Sequence, residues 1–173
     1  MTSVARSAPR RLAAFAVPSE PGNERLALTR VAEAVAASGL PPARLERLKT
    51  AVAEATMNAI EHGNRGRPEI PVDVEVTQEG DDIIVAITDL GGEHAPPGPA
   101  EEPDLLLKLE GEQQARGWGL FLIRNMVDAM QVRTDGPRRT IQLTMRAGGA
   151  TPVPHTGGLE GGGHEGSGHE EEL

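Results

Sequence analysis

Three short stretches of this chain carry residue types that could do chemistry. In the first, LERLKTAVAEATMNAIEHGN from Leu45 to Asn64, the polar residues Glu54, Asn58 and Glu61 recur at steps of four and three. At about 100° per helical residue they share one face. A carboxylate and a carboxamide one turn apart are oxygen donors suited to a hard, partly hydrated Mg²⁺. The plain alternative is the polar side of any amphipathic helix, although a mid-helix Asn is a mild liability because its amide competes for backbone hydrogen bonds. In the second stretch Asp89 ends an apolar run and precedes Leu90-Gly91-Gly92. A carboxylate there can accept from an exocyclic amine such as adenine N6, and the glycines let backbone approach a flat ring. An Asp that merely caps a turn would look the same. The third stretch, Arg116-Gly117-Trp118-Gly119-Leu120, opens a helix. Its glycines leave N–H groups unobstructed where the helix dipole favours phosphate, and Arg116 could add charge-assisted bonds. G-x-G alone is a weak signal. Phe121 and Leu122 stand where a Rossmann loop needs its third glycine, no strand precedes the motif, and no G-x-x-x-x-G-K-[ST] loop occurs anywhere.

The elements that must position these residues follow from periodicity. Leu45, Leu48, Val52, Ala55, Thr56, Ala59 and Ile60 form one apolar stripe, with Glu54, Asn58 and Glu61 expected opposite it. Pro41-Pro42 opens this helix and Gly63 is a suitable stop. Before it, Arg11 to Val17 reads as a strand and about Glu24 to Ala37 as a helix with Asn23 as N-cap, ended by Gly39. After it, Ile70 to Thr77 and Asp82 to Asp89 alternate with a period of two around Glu79-Gly80-Asp81, an antiparallel hairpin with one face on helices and the other toward solvent or a partner. Gly91 to Arg116 is a long connection in which only Leu105 to Leu109 is apolar enough for a helical turn or two, the kind of loop that works as a lid. Gly119 to Met130 reads as a third helix. Val132 to Thr134 and Thr140 to Arg146 then form a last hairpin around Asp135-Gly136-Pro137.

Composition narrows the classes. The 173 residues are enough for one domain with a core. Cysteine is absent, which excludes disulfides and thiolate metal sites. No apolar run approaches the roughly 20 residues of a membrane helix, and MTSVARSAPRRLAAF has no apolar segment long enough for a signal peptide, so a cytoplasmic protein is expected. Five of the 26 acids, Glu160, Glu165, Glu170, Glu171 and Glu172, lie beyond the last base, Arg146. The remaining body is nearly balanced, with no basic stripe for nucleic acid. Two Phe, one Trp and no Tyr mean an aliphatic core without base-stacking platforms. Residues 1–10 read as a flexible leader and residues 148–173 as a disordered Gly/Glu/His-rich tail, whose His155, His164 and His169 are too irregularly spaced for a firm metal site.

The order of the pieces is more specific than any one of them. A helix with E-x-x-x-N, a hairpin ending in D-x-G-G, a long connection and R-G-x-G-L on a helix resemble the ATP-binding fold shared by gyrase, the 90-kDa heat-shock chaperones, histidine kinases and MutL proteins. Within that superfamily LKTAVAEATMNAIEHGN and RGWGLFLIRNMVDAM are similar to the bacterial anti-sigma-factor serine/threonine kinases, over roughly Leu12 to Met145. The resemblance implies an α+β two-layer sandwich with a mixed, largely antiparallel sheet and helices on one face, occupying residues 11–147 with an ATP lid at about 91–116. It implies ATP and Mg²⁺ as cofactors. Asn58 matches the Mg²⁺-ligating asparagine, Glu54 the proposed general base, Asp89 the adenine-reading aspartate and Gly91 the first glycine of its box. Gly117 and Gly119 match the glycines under the phosphates, flanked by Arg116, Trp118 and Leu120. One departure stands out: the second glycine of D-x-G-x-G is Glu93 here, with Gly92 added alongside.

Implied with the family are transfer of the ATP γ-phosphoryl group to a serine or threonine of a small anti-anti-sigma (STAS) protein, sequestration of a sigma factor in the alternative state, and a homodimer. A non-catalytic, ATP-gated partner-switching module is the other class, given weight by Glu93 in the glycine box. A histidine kinase is disfavoured because no phospho-accepting helical hairpin precedes the domain, and direct DNA recognition is disfavoured by charge.

Overall fold

Alternation of β-branched residues builds the sheet. A computed structural model describes residues 8–92 and 115–148. Its five strands are β1 (Arg10–Val17), β2 (Val72–Glu79), β3 (Asp82–Asp89), β4 (Ala129–Asp135) and β5 (Arg138–Arg146). They lie in the order β1-β2-β3-β5-β4. Every pairing among the described residues is antiparallel, in keeping with the expected two-layer α+β sandwich and its mixed, largely antiparallel sheet, and no parallel pair occurs among those residues. Val72, Val74, Val76, Ile83, Val85, Ile87, Ile141, Leu143 and Met145 point inward at every second position and are buried. The two hairpins close with two residues each, Gly80-Asp81 and Gly136-Pro137, and Gly80 and Gly136 supply the positive φ those turns need.

Helices cover the inward face. α1 (Asn23–Val35) buries Ala27, Val31 and Val35, and α2 (Pro42–Asn58) buries Leu48, Ala51, Val52, Ala55 and Thr56. α3 (Ala115–Met126) brings in Ile123. α2 is the middle element and packs against both α1 and α3. Arg47 ties α2 to the end of α3 by donating to the carbonyls of Asn125 and Met126, and buried Arg44 pairs with Asp128 just beyond. No described helix is long and apolar enough to cross a membrane.

Several boundaries differ from expectation, each for a local reason. Asn23 is the first residue of α1, not its cap: Gly22 takes the cap position, its N–H bonds to the Glu24 carboxylate, and the Asn23 amide donates to the Pro18 carbonyl. Gly63 does not end α2 in a left-handed turn. The helix passes into a π-helical turn, Ala59–Gly63, with Asn64 N–H on the Ala59 carbonyl, and positive φ falls on Arg65 and Gly66. β2 begins at Val72 because the Ile70 and Pro71 carbonyls are captured by the Asn64 amide. The third helix stops at Met126, not Met130. Asp128 N–H bonds to the Thr144 carbonyl, which draws Ala129 and Met130 into β4. The leader before residue 8, Leu105 to Leu109 with most of the expected lid, and the tail from residue 149 lie outside the described residues.

Candidate functional site

The site forms where α3 crosses α2. Thr56 and its stripe face the sheet, which turns Asn58 toward α3, and Asn58 is only 6% exposed. The expectation that Glu54, Asn58 and Glu61 share a face opposite the core therefore holds in direction but not in exposure: Glu61 is exposed, Glu54 half-buried and Asn58 buried. Buried Gly119 of α3 is the reason they can approach. A Cβ there would lie 2.6 Å from Glu54 Oε1 and 2.8 Å from Asn58 Nδ2, closer than real side-chain atoms tolerate. Glu54, Asn58 and Gly119, 65 positions apart at the extremes of this set, thus line one point.

Both polar groups there are in unusual states. The Asn58 side-chain Nδ2 is a buried donor with no hydrogen-bond acceptor among the described residues. Buried amides are nearly always satisfied, so an orphan at a helix crossing marks a place where a ligand completes the set. The Glu54 carboxyl is raised above its ordinary 4.5, by burial first and by the neighbouring Glu61 charge second. No cluster of three or more His, Cys, Asp or Glu exists among the described residues that could hold a metal by itself. The Asn58 carboxamide oxygen with Glu54 beside it fits a Mg²⁺ that draws its other ligands from phosphate and water, and fits no all-protein cage.

About one turn beyond Asn58, Gly63 packs directly on Asp89. A Cβ on Gly63 would stand 2.5 Å from Asp89 Oδ1, and one on Gly91 would stand 2.6 Å from the Gly63 Cα. Backbone from the π turn and from the segment after β3 is pressed onto the carboxylate. Asp89 is 1% exposed, accepts from Gly91 N–H at 2.7 Å through Oδ1, and through Oδ2 takes both Nε and Nη2 of Arg139, at 3.1 and 2.8 Å. Asn64 braces the turn from behind. Its Oδ1 takes the Leu90 N–H at 2.8 Å while its amide donates to Ser19 Oγ and to the Ile70 and Pro71 carbonyls.

Gly92 N–H donates to the Pro137 carbonyl at 2.9 Å, so the chain leaves Gly91 against the β4–β5 turn. Leu120 is half-buried and packs on the core. Arg116, Gly117 and Trp118 lie in the first turn of α3, with their side chains outside the described residues. Arg139 and Asn64 were not singled out. Arg139 had a readable signal: it occupies the inward register of β5 with Ile141, Leu143 and Met145, and an Arg in that row demands a buried acid.

A five-stranded antiparallel sheet under three helices, with Glu, Asn and Asp gathered by close-packed glycines, can be compared with known proteins. The histidine kinase-like ATPase domain family matches residues 17–145. The anti-sigma F factor of Oceanobacillus iheyensis is 36% identical over 121 residues, 69% of this chain and 79% of that protein. The chain therefore belongs to the histidine kinase-like ATPase family, on the branch that holds the anti-sigma F factor. The fold is shared with the structure of the RsbU and RsbW domains of a Mycobacterium tuberculosis protein (TM-score 0.55, 18% identity, 81% of this chain), of which this chain spans only about a third, 32%. It is shared as well with the SiaB–SiaC complex of Pseudomonas aeruginosa (TM-score 0.53, 16% identity, 79% of this chain and 90% of that one).

Proposed function

We propose that this chain is an ATP-dependent serine/threonine protein kinase that phosphorylates an anti-anti-sigma STAS protein and, in the alternative state, withholds a sigma factor from RNA polymerase. The observation that carries it is the meeting of Gly119 with Glu54 and Asn58, which puts a raised-pKa carboxyl and an unpaired amide at the start of a glycine-bearing helix. Each side chain then has a task. Asp89 accepts a base amine. The Asn58 oxygen would hold Mg²⁺, which would supply positive charge against that developing on the phosphates. The α3 amides around Gly117 and Gly119, with Arg116, stabilise phosphate. Glu54 takes the proton of the attacking hydroxyl, and its raised pKa brings it nearer the operating pH, where a general base works best.

The partners come from the relatives' names: an anti-sigma F factor for the sigma side, and a SiaB–SiaC complex for the second partner class. A homodimer follows by the same family analogy. The test is transfer of labelled phosphate from ATP to a panel of STAS proteins. Labelling of at least one on Ser or Thr is expected, and an unlabelled panel with intact ATP binding argues against a kinase. In that event the second reading, an ATP-gated binding module, takes its place. It draws support from Glu93 in the glycine box, and Glu54→Ala separates the two, since a pure binder keeps its partner affinity and has no transfer to lose.

A further inference from the structure

The buried ion pair between Asp89 and Arg139 has no assigned part in that chemistry. The two residues face each other directly in the β3–β5 register, both almost fully buried. Stability alone does not account for such a pair, because replacing a buried ion pair with packed apolar side chains is often neutral or stabilising. Its geometry is more informative. A carboxylate offers about four acceptor positions. Arg139 places both of its bonds on Oδ2, and the Gly91 N–H takes one position on Oδ1. Asp89 is left with Oδ1 as its one oxygen able to accept a further donor.

We propose that Arg139 is the specificity residue that makes this site choose adenine over guanine, an inference that rests on the nucleotide-binding function proposed above. The hydrogen-bonding edge of adenine presents one amine N–H to a carboxylate. Guanine presents an imino N–H and an amine N–H side by side, and a carboxylate satisfies such a pair only with both oxygens. With Oδ2 engaged by Arg139, guanine would bury one N–H unpaired, and sites built on hydrogen bonds reject ligands that leave polar groups unmatched. Adenine needs only Oδ1. Arg139 thus acts through Asp89 without touching the base.

The experiment measures dissociation constants of the full chain for the Mg²⁺ complexes of ATP, GTP and inosine triphosphate, whose base lacks the guanine amine. In the wild type, ATP is expected at least ten-fold tighter than GTP. Inosine triphosphate, with a single N–H to place, is expected at least ten-fold tighter than GTP. Arg139→Met frees Oδ2 and is expected to narrow the ATP-to-GTP ratio at least ten-fold, and Arg139→Lys, which returns one donor to Oδ2 and leaves its second acceptor position open, is expected to narrow it as well. A ratio of two affinities measured on one sample does not depend on the fraction folded, so a merely structural role would leave it unmoved. Should Arg139→Met yield no folded protein, the wild-type inosine comparison still decides. Inosine triphosphate binding as weakly as GTP, or an unchanged ratio in Arg139→Met, overturns the role of Arg139 and leaves ATP binding standing. Failure of the wild type to bind any of the three removes the nucleotide site and this inference with it.

Discussion

Gly63 sits against Asp89 so closely that any side chain at position 63 would overlap the carboxylate: an added Cβ falls 2.5 Å from Oδ1 and 2.7 Å from the Asp89 Cβ. The carboxylate cannot step aside, because Gly91 N–H and the Arg139 guanidinium fix both oxygens. Gly63→Ala is therefore expected to cost about 1–3 kcal/mol, the usual penalty for overpacking a tight interior. Urea denaturation read by circular dichroism measures it. A midpoint equal to wild type would show that Gly63 and Asp89 are not in contact.

Gly119→Ala has the opposite balance. The new Cβ meets the ends of Glu54 and Asn58, which are side-chain tips and not backbone. Alanine also gains about 1 kcal/mol over glycine inside a helix. The variant should fold with stability close to wild type yet bind ATP at least ten-fold more weakly, because the displaced groups are the ones assigned to metal and nucleophile. Calorimetric titration beside a thermal melt checks both halves.

Glu54→Gln separates proton chemistry from packing. Transfer to the partner should fall roughly 10²–10⁴-fold, the range a general base contributes, with ATP affinity little changed. Stability should move the other way. The folded-state pKa of Glu54 is raised, so between its ordinary 4.5 and the raised value the folded chain binds more protons than the unfolded chain. Folding stability contributed by Glu54 therefore declines as pH rises through that window and stays lost above it. Removing the charge abolishes that decline and leaves the variant the more stable at pH 7. Denaturation midpoints of both proteins from pH 4.5 to 7 measure the difference, and parallel profiles would contradict it.

Asn64→Ala tests the brace behind the turn. It strips the acceptor from the Leu90 N–H and the donor from the Ser19, Ile70 and Pro71 group. An orphaned buried polar group costs about 1–3 kcal/mol. The expected result is that much destabilisation with an unchanged denaturant slope, together with weaker ATP binding, because the backbone carrying Asp89 and Gly91 loses its anchor.

Much of this architecture was legible, and the failures have a common physical origin. The period-two rows of β2, β3 and β5 and the three-to-four spacing of α2 predict the inward set, because burial on a sheet or helix face needs only local geometry. Glu54, Asn58 and Gly119 converge as their motif order suggests. What escaped was set by tertiary contact. Asn58 lies buried against Gly119 of α3, a contact no local pattern encodes, and Ala129-Met130, helical by propensity, are pulled into β4 by a bond from Asp128 to Thr144. The π turn at Ala59–Gly63 has no composition signature, since one longer hydrogen bond distinguishes it from α-helix. Arg139 was hidden in a run of turn residues although its register placed it indoors.

The most direct measurement is the affinity of the wild-type chain for ATP with and without Mg²⁺, beside Asn58→Ala and Asp89→Asn. One cleft spanning both residues predicts saturable 1:1 binding that Mg²⁺ strengthens. Asn58→Ala should abolish the Mg²⁺ effect while Asp89→Asn weakens binding in either condition. Binding that neither substitution alters, or no binding by the wild type, would contradict the account at its root.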